Sequence, residues 1–480
     1  MATKGLPIIS GAADVRSATR RPHRPPDGRL SVYLETYGCQ MNVADTELMG
    51  GILREAGYAA VADPAEADVI LVNTCAVREH AEERVFGRLG ELTRFKYVRP
   101  WLVLGVTGCM AEHLRERIPA RARAVDLVVG PDAYRHLPAL IATQADEALL
   151  DVRFDRRENY LGVDPARREE VTAWVTIMRG CDRFCSFCIV PYVRGREKCV
   201  PPEEILRQVR GLADEGYREV CLLGQTVNSY RFDGTDFADL LRMVAAVDGI
   251  ERVRFTSPHP AEFDEKMIAA MAEVPEVCPY VHLPLQSGAD GVLARMRRDH
   301  TVDQYLRLVD DLRRAIPDLA MSTDVVVGFC GETEDEFQAT CRLMESVRYD
   351  FAYMFRYSPR EGTAAHRTMA DDVPDEEKGR RLQMIIDLQE RISAERHADR
   401  IGRTEQVLVI GPARKSPGHV LGRTPGFKAT VIPGEWRPNA IVEARITGAN
   451  PHTLFGQAIR LVAPPRARTA QPDSMNPAEA

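Results

Sequence analysis

Apolar positions along this chain fall in short strand-like blocks, and between them in longer stretches of helical period. Residues 31–37, 69–74, 101–107 and 124–129 are strand-like, while 45–56, 76–96 and 111–117 carry the helical pattern. Such alternation builds a parallel sheet with right-handed crossovers. After a charged connection over 153–170 the alternation resumes. It predicts strands over 173–178, 219–223, 252–256, 281–285, 320–327 and 351–357, and helices over 202–215, 236–247, 264–272, 302–315 and 334–347. Six strand–helix repeats point to a (β/α)6 partial barrel, two repeats short of a full one. A long amphipathic helix spans 375–400, and then the pattern turns all-β over 405–410, 419–423, 427–432, 440–447 and 454–459. Five short strands make a small barrel of OB-like size. The expected fold is α/β, with an N-terminal parallel-sheet domain over 29–145, a partial TIM barrel over 167–400 and a small β-barrel over 401–463. Residues 1–28 and 464–480 read as a disordered arm and tail, too polar to bury.

Composition narrows the class. The chain has 480 residues, a net charge of −7 and no apolar run long enough to span a bilayer. The arm has no apolar core before a cleavage site, so the expected location is cytoplasmic and the expected state a monomer. No whole-chain basic field advertises nucleic acid. Residues 403–460, however, hold eight basic against three acidic side chains, a net +5. With aromatics such as Phe427 and Trp436 read as exposed, that barrel is a candidate for single-stranded RNA.

Eleven cysteines in a chain this long do not make a disulfide framework. Cys181, Cys185 and Cys188 form C-x3-C-x2-C directly after the first barrel strand. Three thiolates cannot close a structural zinc site, but they leave one iron of a 4Fe–4S cube open. Cys39, Cys75 and Cys109 each end one of three successive strand blocks. The carboxyl ends of parallel strands share one edge, so these three can converge into a second such site. Cys199, Cys221, Cys278 and Cys341 have no partner at ligand spacing and read as core or surface thiols. Cys330 lies on an active-edge loop and stays open. His259 and His282 read as satisfied turn or core histidines.

The loops after the barrel strands ring the first cysteine site with polar and glycine residues, among them Gly224, Asn228, Gln286, Ser287, Gly328 and Gly331. An open iron can chelate an amine and a carboxylate, the pair that S-adenosylmethionine offers, and cluster reduction then generates a deoxyadenosyl radical. Phe187 sits between two ligands, where it can pack on the adenine. With this cofactor the chemistry resides in the clusters, and no separate catalytic side chain is expected. A second open-site cluster makes sense if it holds a sulfur atom to insert.

The C-x3-C-x2-C loop resembles that of the radical S-adenosylmethionine enzymes. The order of parts is similar to their methylthiotransferase branch, which ends in a TRAM-type barrel. YGCQMN, NTCAVREHAEERVFGRLG, RGCDRFCSFCIVPYVRGRE, LLGQTVNSY, TSPHP and HLPLQSG resemble the branch acting on tRNA. That resemblance implies two 4Fe–4S clusters, the radical one on Cys181, Cys185 and Cys188 and a sulfur-bearing auxiliary one on Cys39, Cys75 and Cys109. It also implies two S-adenosylmethionine molecules, methylthiolation at C2 of N6-isopentenyladenosine in the tRNA anticodon loop, an external electron donor and a sulfur donor of unknown identity. Sister activities on threonylcarbamoyladenosine tRNA or a ribosomal-protein aspartate, and a non-catalytic iron–sulfur RNA-binding role, are the alternatives. Two loops depart from the branch's pattern: Cys330 stands where proline is expected in G-F-P-G-E-T, and RTPGFK replaces a sequence nearer RTRGNK.

Overall fold

The computed structural model describes residues 30–76, 79–143, 145, 147–167 and 171–466. The arm expected over 1–28 and most of the tail after 464 lie outside the described residues.

The N-terminal sheet is parallel and six-stranded, in the order Ala59–Ala60, Ser31–Tyr37, Val69–Thr74, Val103–Gly108, Leu127–Val129, Leu149–Asp151. Two edge strands go beyond the four expected, and they are too short to leave a periodic signal. The central strands are buried at every position because helices cover both faces. The first helix starts at Gln40, earlier than expected, because Cys39 acts as its N-cap and Asn42 accepts from the Cys39 backbone N–H. The charged connection after residue 153 is not a free linker. Tyr160, Val163 and Ala166 sit in the N-terminal core, and the Tyr160 hydroxyl donates to the Pro131 carbonyl at 2.7 Å.

The six expected barrel strands are present as two three-stranded parallel sheets, Thr172–Thr176, Glu219–Leu223, Arg252–Phe255 and Tyr280–His282, Ala320–Val327, Phe351–Arg356. A parallel bridge from Val253 to Val277 joins them in sequence order. Val175, Val220, Val253, Val281, Val325 and Met354 pack against the helices. Side chains alternate across a strand, so Glu219, Arg254, His282, Asp324 and Tyr353 belong to the concave face.

The C-terminal strands Thr404–Pro412, His419–Arg423, Ala429–Pro433, Leu454–Ala463 and Ile441–Ala449 close into a five-stranded barrel. It caps the amino-terminal mouth of the partial barrel, away from the cysteine loops. Arg252 donates to the Arg423 and Gln406 carbonyls, and Arg254 to those of Thr424 and Pro425, at 2.8–3.0 Å. Glu219 holds Arg254 from behind at 2.8 Å. Phe427 is stacked on Tyr280 at 4.8 Å and lies over Phe351, with Arg423 and Arg254 against its ring. Lys428 is buried in an ion pair with Asp350. Trp436 packs on the barrel's own core and donates to the Pro433 carbonyl. The expectation of exposed stacking aromatics is therefore corrected. Phe427 and Trp436 are occupied, and Arg423 and Lys428 serve the domain interface. Charge counting could not see those pairs. The third strand of this barrel begins at Ala429, two residues after Phe427, because residues 424–428 form a tight turn.

Candidate functional site

Cys181, Cys185 and Cys188 lie on the loop that leaves the short strand Met178–Arg179 at the carboxyl mouth of the barrel. Gly180 makes the turn possible. Its φ is +79°, and a Cβ there would stand 2.1 Å from the Arg196 carbonyl oxygen. The loop is pinned where Ser186 N–H donates to the Met296 carbonyl and Ser186 Oγ to that of Arg295. Each of the first two sulfurs has a polar neighbour: Thr226 Oγ1 lies 3.2 Å from Cys181 Sγ, and Arg298 donates to Cys185 Sγ at 3.5 Å. Burial, reinforced by the Cys185 sulfur, pushes the Cys188 thiol up to about 12, and burial also raises Cys181. Bare thiolates are penalised here, and a cationic metal centre removes the penalty.

Cys39, Cys75 and Cys109 converge as expected at the carboxyl edge of the N-terminal sheet. Cys39 hydrogen-bonds with Cys75, which lowers its thiol against the opposing effect of burial. Cys109 opens the helix Cys109–Leu114, and its sulfur accepts from Arg194 Nε at 3.1 Å. Gly108, at φ +88°, lets the strand end approach its neighbour, since a Cβ there would meet Asn73 Oδ1 at 2.3 Å. Asn42 and Asn73 brace the edge by mutual hydrogen bonds, with Asn73 also donating to Thr46.

The donor sets fit iron–sulfur clusters. Among the described residues no three His, Cys, Asp or Glu side chains close into a single-ion cage. Two separate sets of three soft thiols suit four-iron cubes, whose corners are distinct metal atoms. Buried polar atoms without a partner gather around both sets. They are Thr74 Oγ1, Thr107 Oγ1 and one Arg194 nitrogen near the Cys39, Cys75 and Cys109 set, and Gln225 Oε1, Arg298 Nε, His259 Nε2 and both His300 nitrogens near the Cys181, Cys185 and Cys188 set.

The two sets share one junction. Ile189, next to Cys188, packs with Cys109, Ala76 and Val193. Asp45 is fully buried and receives both Arg179, two residues before Cys181, and Arg194. Burial alone would raise the Asp45 carboxyl, but the two guanidinium groups hold it below its ordinary range. Sequence reading missed this network because Asp45 and Arg194 are 149 positions apart and nothing local marks either.

The other ring positions have distinct places. Phe187 is half-buried, edge-on to Phe329 at 6.4 Å. Gln286 takes φ +71° and bridges to Val325, and Gly224 gives close passage to Met178. Asn228 spends both amide atoms on the His259 backbone, and Ser287 shares its hydroxyl with Thr340. Gly328 makes room for the Lys378 stem, and the Gly331 N–H donates to Asp372. Cys330 is buried among Phe329, Met296 and Tyr357 and acts as core. His259 and His300 stay neutral, lowered by burial and then by Arg298 to about 2 and about 4.

A cavity of about 440 Å³ opens beside the loop of Cys181, Cys185 and Cys188, lined by Asp182, Arg183, Phe184, Glu197, Ser229, Glu262, Arg297 and Asp299. The concave wall below carries His282, which is satisfied as expected, by Ser322 Oγ at 2.9 Å and Asp324 at 3.2 Å. Tyr353 stands edge-on to His282 on the edge strand Phe351–Arg356 and is 46% exposed.

Comparison with known proteins covers all three parts. Residues 31–130 match the Uncharacterized protein family UPF0004, 175–344 the Radical SAM superfamily and 399–459 the TRAM domain. A Chlorobium luteolum protein named tRNA-2-methylthio-N(6)-dimethylallyladenosine synthase is 44% identical over 443 residues, covering 91% of this chain and 99% of the relative. A Porphyromonas gingivalis protein of the same name is 44% identical over 458 residues, 93% of this chain and 97% of the relative. Among solved structures, the radical S-adenosylmethionine methyltransferase TsrM from Kitasatospora setae, with cobalamin and a [4Fe-4S] cluster bound, superimposes with a TM-score of 0.54. That match has 14% identity and covers 70% of this chain and 74% of that one, a likeness of fold alone.

Proposed function

Because this chain belongs to the tRNA-2-methylthio-N(6)-dimethylallyladenosine synthase family of radical S-adenosylmethionine enzymes, we propose that its two cysteine triplets hold two 4Fe–4S clusters that act on one base at one junction. It is a tRNA methylthiotransferase by family, and S-adenosylmethionine and 4Fe–4S chemistry come with that family. The assignment of ligands, the use of two S-adenosylmethionine molecules and the position of the RNA are our reading. The carrying observation is the Arg179–Asp45–Arg194 bridge, which fixes both triplets to one buried carboxylate.

When bound, the clusters and S-adenosylmethionine supply radical chemistry on one side and the sulfur to be transferred on the other. The chain's residues orient and shield. Cys181, Cys185 and Cys188 ligate the radical cluster, and Thr226 and Arg298 steady two of those sulfurs. Phe187, Gln286 and Gly224 border S-adenosylmethionine. Asn228, Ser287, Gly328 and Gly331 support it indirectly by fixing the loops. Cys39, Cys75 and Cys109 ligate the auxiliary cluster, while Ile189 and Val193 keep the junction dry.

The anticodon loop offers bases that can be splayed out of their stack. We read Tyr353 as the ring that stacks on such a base, a reading supported by its exposure and by His282 and Asp324 beside it as hydrogen-bonding groups. With Phe427 and Trp436 spent on packing, the C-terminal barrel grips RNA through charge. Arg414, Lys415, Arg437 and Arg445 are among its exposed basic residues, and phosphates are their natural partners, while Arg403 and Arg460, also exposed, pair with Asp318 and Glu443. An external electron donor and a sulfur donor complete the scheme. Among the described residues no helix is long and apolar enough to cross a membrane; the cytoplasmic location and monomeric state are part of our reading.

Iron and sulfide analysis tests the ligand assignment. We expect about eight irons for the intact protein and about four after either triplet is changed to alanine. Loss of all iron from one triple variant, or none, overturns it. Mass spectrometry of tRNA nucleosides from a deletion strain tests the substrate, since unchanged methylthio-isopentenyladenosine refutes it.

A further inference from the structure

The Arg179–Asp45–Arg194 triangle has a charge that does not close on itself. Asp45 brings one negative charge and faces two guanidinium groups, all three side chains at most 4% exposed. Lys198 and Asp132 nearby neutralise each other at 2.7 Å, and the adjacent Tyr134 and Tyr160 hydroxyls are held neutral by burial. One buried positive charge is left over, and a buried charge without a counter-charge is expensive. The remaining groups that face Arg194 are two sulfurs of the same triplet, Cys109 at 3.1 Å from Nε and, acting through space, Cys39. A metal-bound thiolate at Cys109 supplies the missing negative charge.

We propose that Arg194 is a positioning residue for the auxiliary site, orienting Cys109 Sγ for ligation and setting the reduction potential of the cluster held there. The inference rests on the reading of Cys39, Cys75 and Cys109 as ligands. Hydrogen bonds and charge at cluster sulfurs are main determinants of cluster potential, because they stabilise the more negative reduced state. Arg194 is suited to this because its fork is divided between two partners. Nε serves the sulfur and NH2 reaches Asp45 at 2.7 Å, while NH1 is buried and has no partner. Lysine keeps the charge but cannot hold both partners in that geometry.

The test uses the full-length protein carrying C181A, C185A and C188A, so that signals from the other site are absent. Iron is counted after anaerobic reconstitution, and the potential is read by redox titration with electron paramagnetic resonance. Arg194→Gln is expected to disfavour reduction at least tenfold, which for a one-electron couple is about 59 mV. Arg194→Lys is expected to shift it less. Arg179→Gln breaks the same triangle without touching the sulfur and is expected to titrate with the parent. An iron-loaded Arg194→Gln at the parent potential overturns the proposal, as does an equal shift from Arg179→Gln. If Arg194→Gln holds no iron, Arg194→Lys decides: a lowered potential supports the proposal and an unchanged one overturns it. A parent that binds no iron refutes the ligand assignment itself, and this inference with it.

Discussion

Replacing Phe427 by alanine should loosen the C-terminal barrel from its seat rather than remove a platform for RNA. The ring stacks on Tyr280 at 4.8 Å and on Phe351 at 6.2 Å, with Arg423 at 4.1 Å and Arg254 at 5.1 Å from its centroid. Aromatic pairs contribute about 0.5–1.5 kcal/mol each beyond burial. Cation–π contacts contribute about 0.5–2 kcal/mol, and these terms overlap. Phe→Ala in a full core costs about 3–5 kcal/mol. Phe427 is only half-buried, so we expect about 3 kcal/mol. Its φ of +62° lies in the left-handed region, where a side chain costs about 1–2 kcal/mol. Glycine should therefore destabilise less than alanine by about that amount. Hydrogen exchange read over strands Thr404–Pro412 to Leu454–Ala463 measures the loss, and binding to an anticodon-loop oligonucleotide should change less than about threefold. Unchanged protection, together with a tenfold or greater loss of RNA affinity that salt does not modulate, refutes the reasoning, because base stacking is worth about 1–3 kcal/mol.

Three further outcomes follow from other parts of the fold. Glu219→Gln should flatten the acid limb of stability. Burial would raise the Glu219 carboxyl, but Arg254 and Arg252 hold it below its ordinary 4.5, so its contribution is present above pH 4.5 and lost as pH falls below that. Urea unfolding from pH 6 to 3 should show a shallower decline for the variant. Tyr353→Ala should raise KM for the RNA substrate by roughly 5- to 150-fold, the range of one lost stack, with iron content unchanged. Gly108→Ala should cost the auxiliary iron and spare the radical cluster, because its Cβ meets Asn73 Oδ1 at 2.3 Å and the Thr74 carbonyl oxygen at 2.7 Å. Iron counts on the two alanine-triplet backgrounds separate the two sites.

Much of this was legible in the order of residues. Strand blocks ending in cysteine announce thiols gathered at one sheet edge, because period and terminus are both local properties. Glu219–Leu223, Ala320–Val327 and the helices Val302–Ala315 and Glu334–Val347 lie where the apolar period puts them. The helix start at Gln40 was hidden because cysteine is not an ordinary capping residue. The roles of Asp45, Arg194, Phe427 and Lys428 were hidden for a different reason. Each depends on a partner more than 70 positions away, and a charge or a ring counted alone looks solvated.

The position of the C-terminal barrel sets a span. It seals the amino ends of strands whose carboxyl ends carry the cysteine loops, and the longest of these, Ala320–Val327, measures about 26 Å at 3.3 Å per residue. At about 3.4 Å per stacked nucleotide, that is some seven to eight nucleotides of one strand. On the function proposed above, the protein works as a calliper, one jaw reading phosphate charge and the other receiving a single base. An oligonucleotide much shorter than the gap can enter the second jaw but not touch the first, so substrate length should govern affinity in a step rather than a slope.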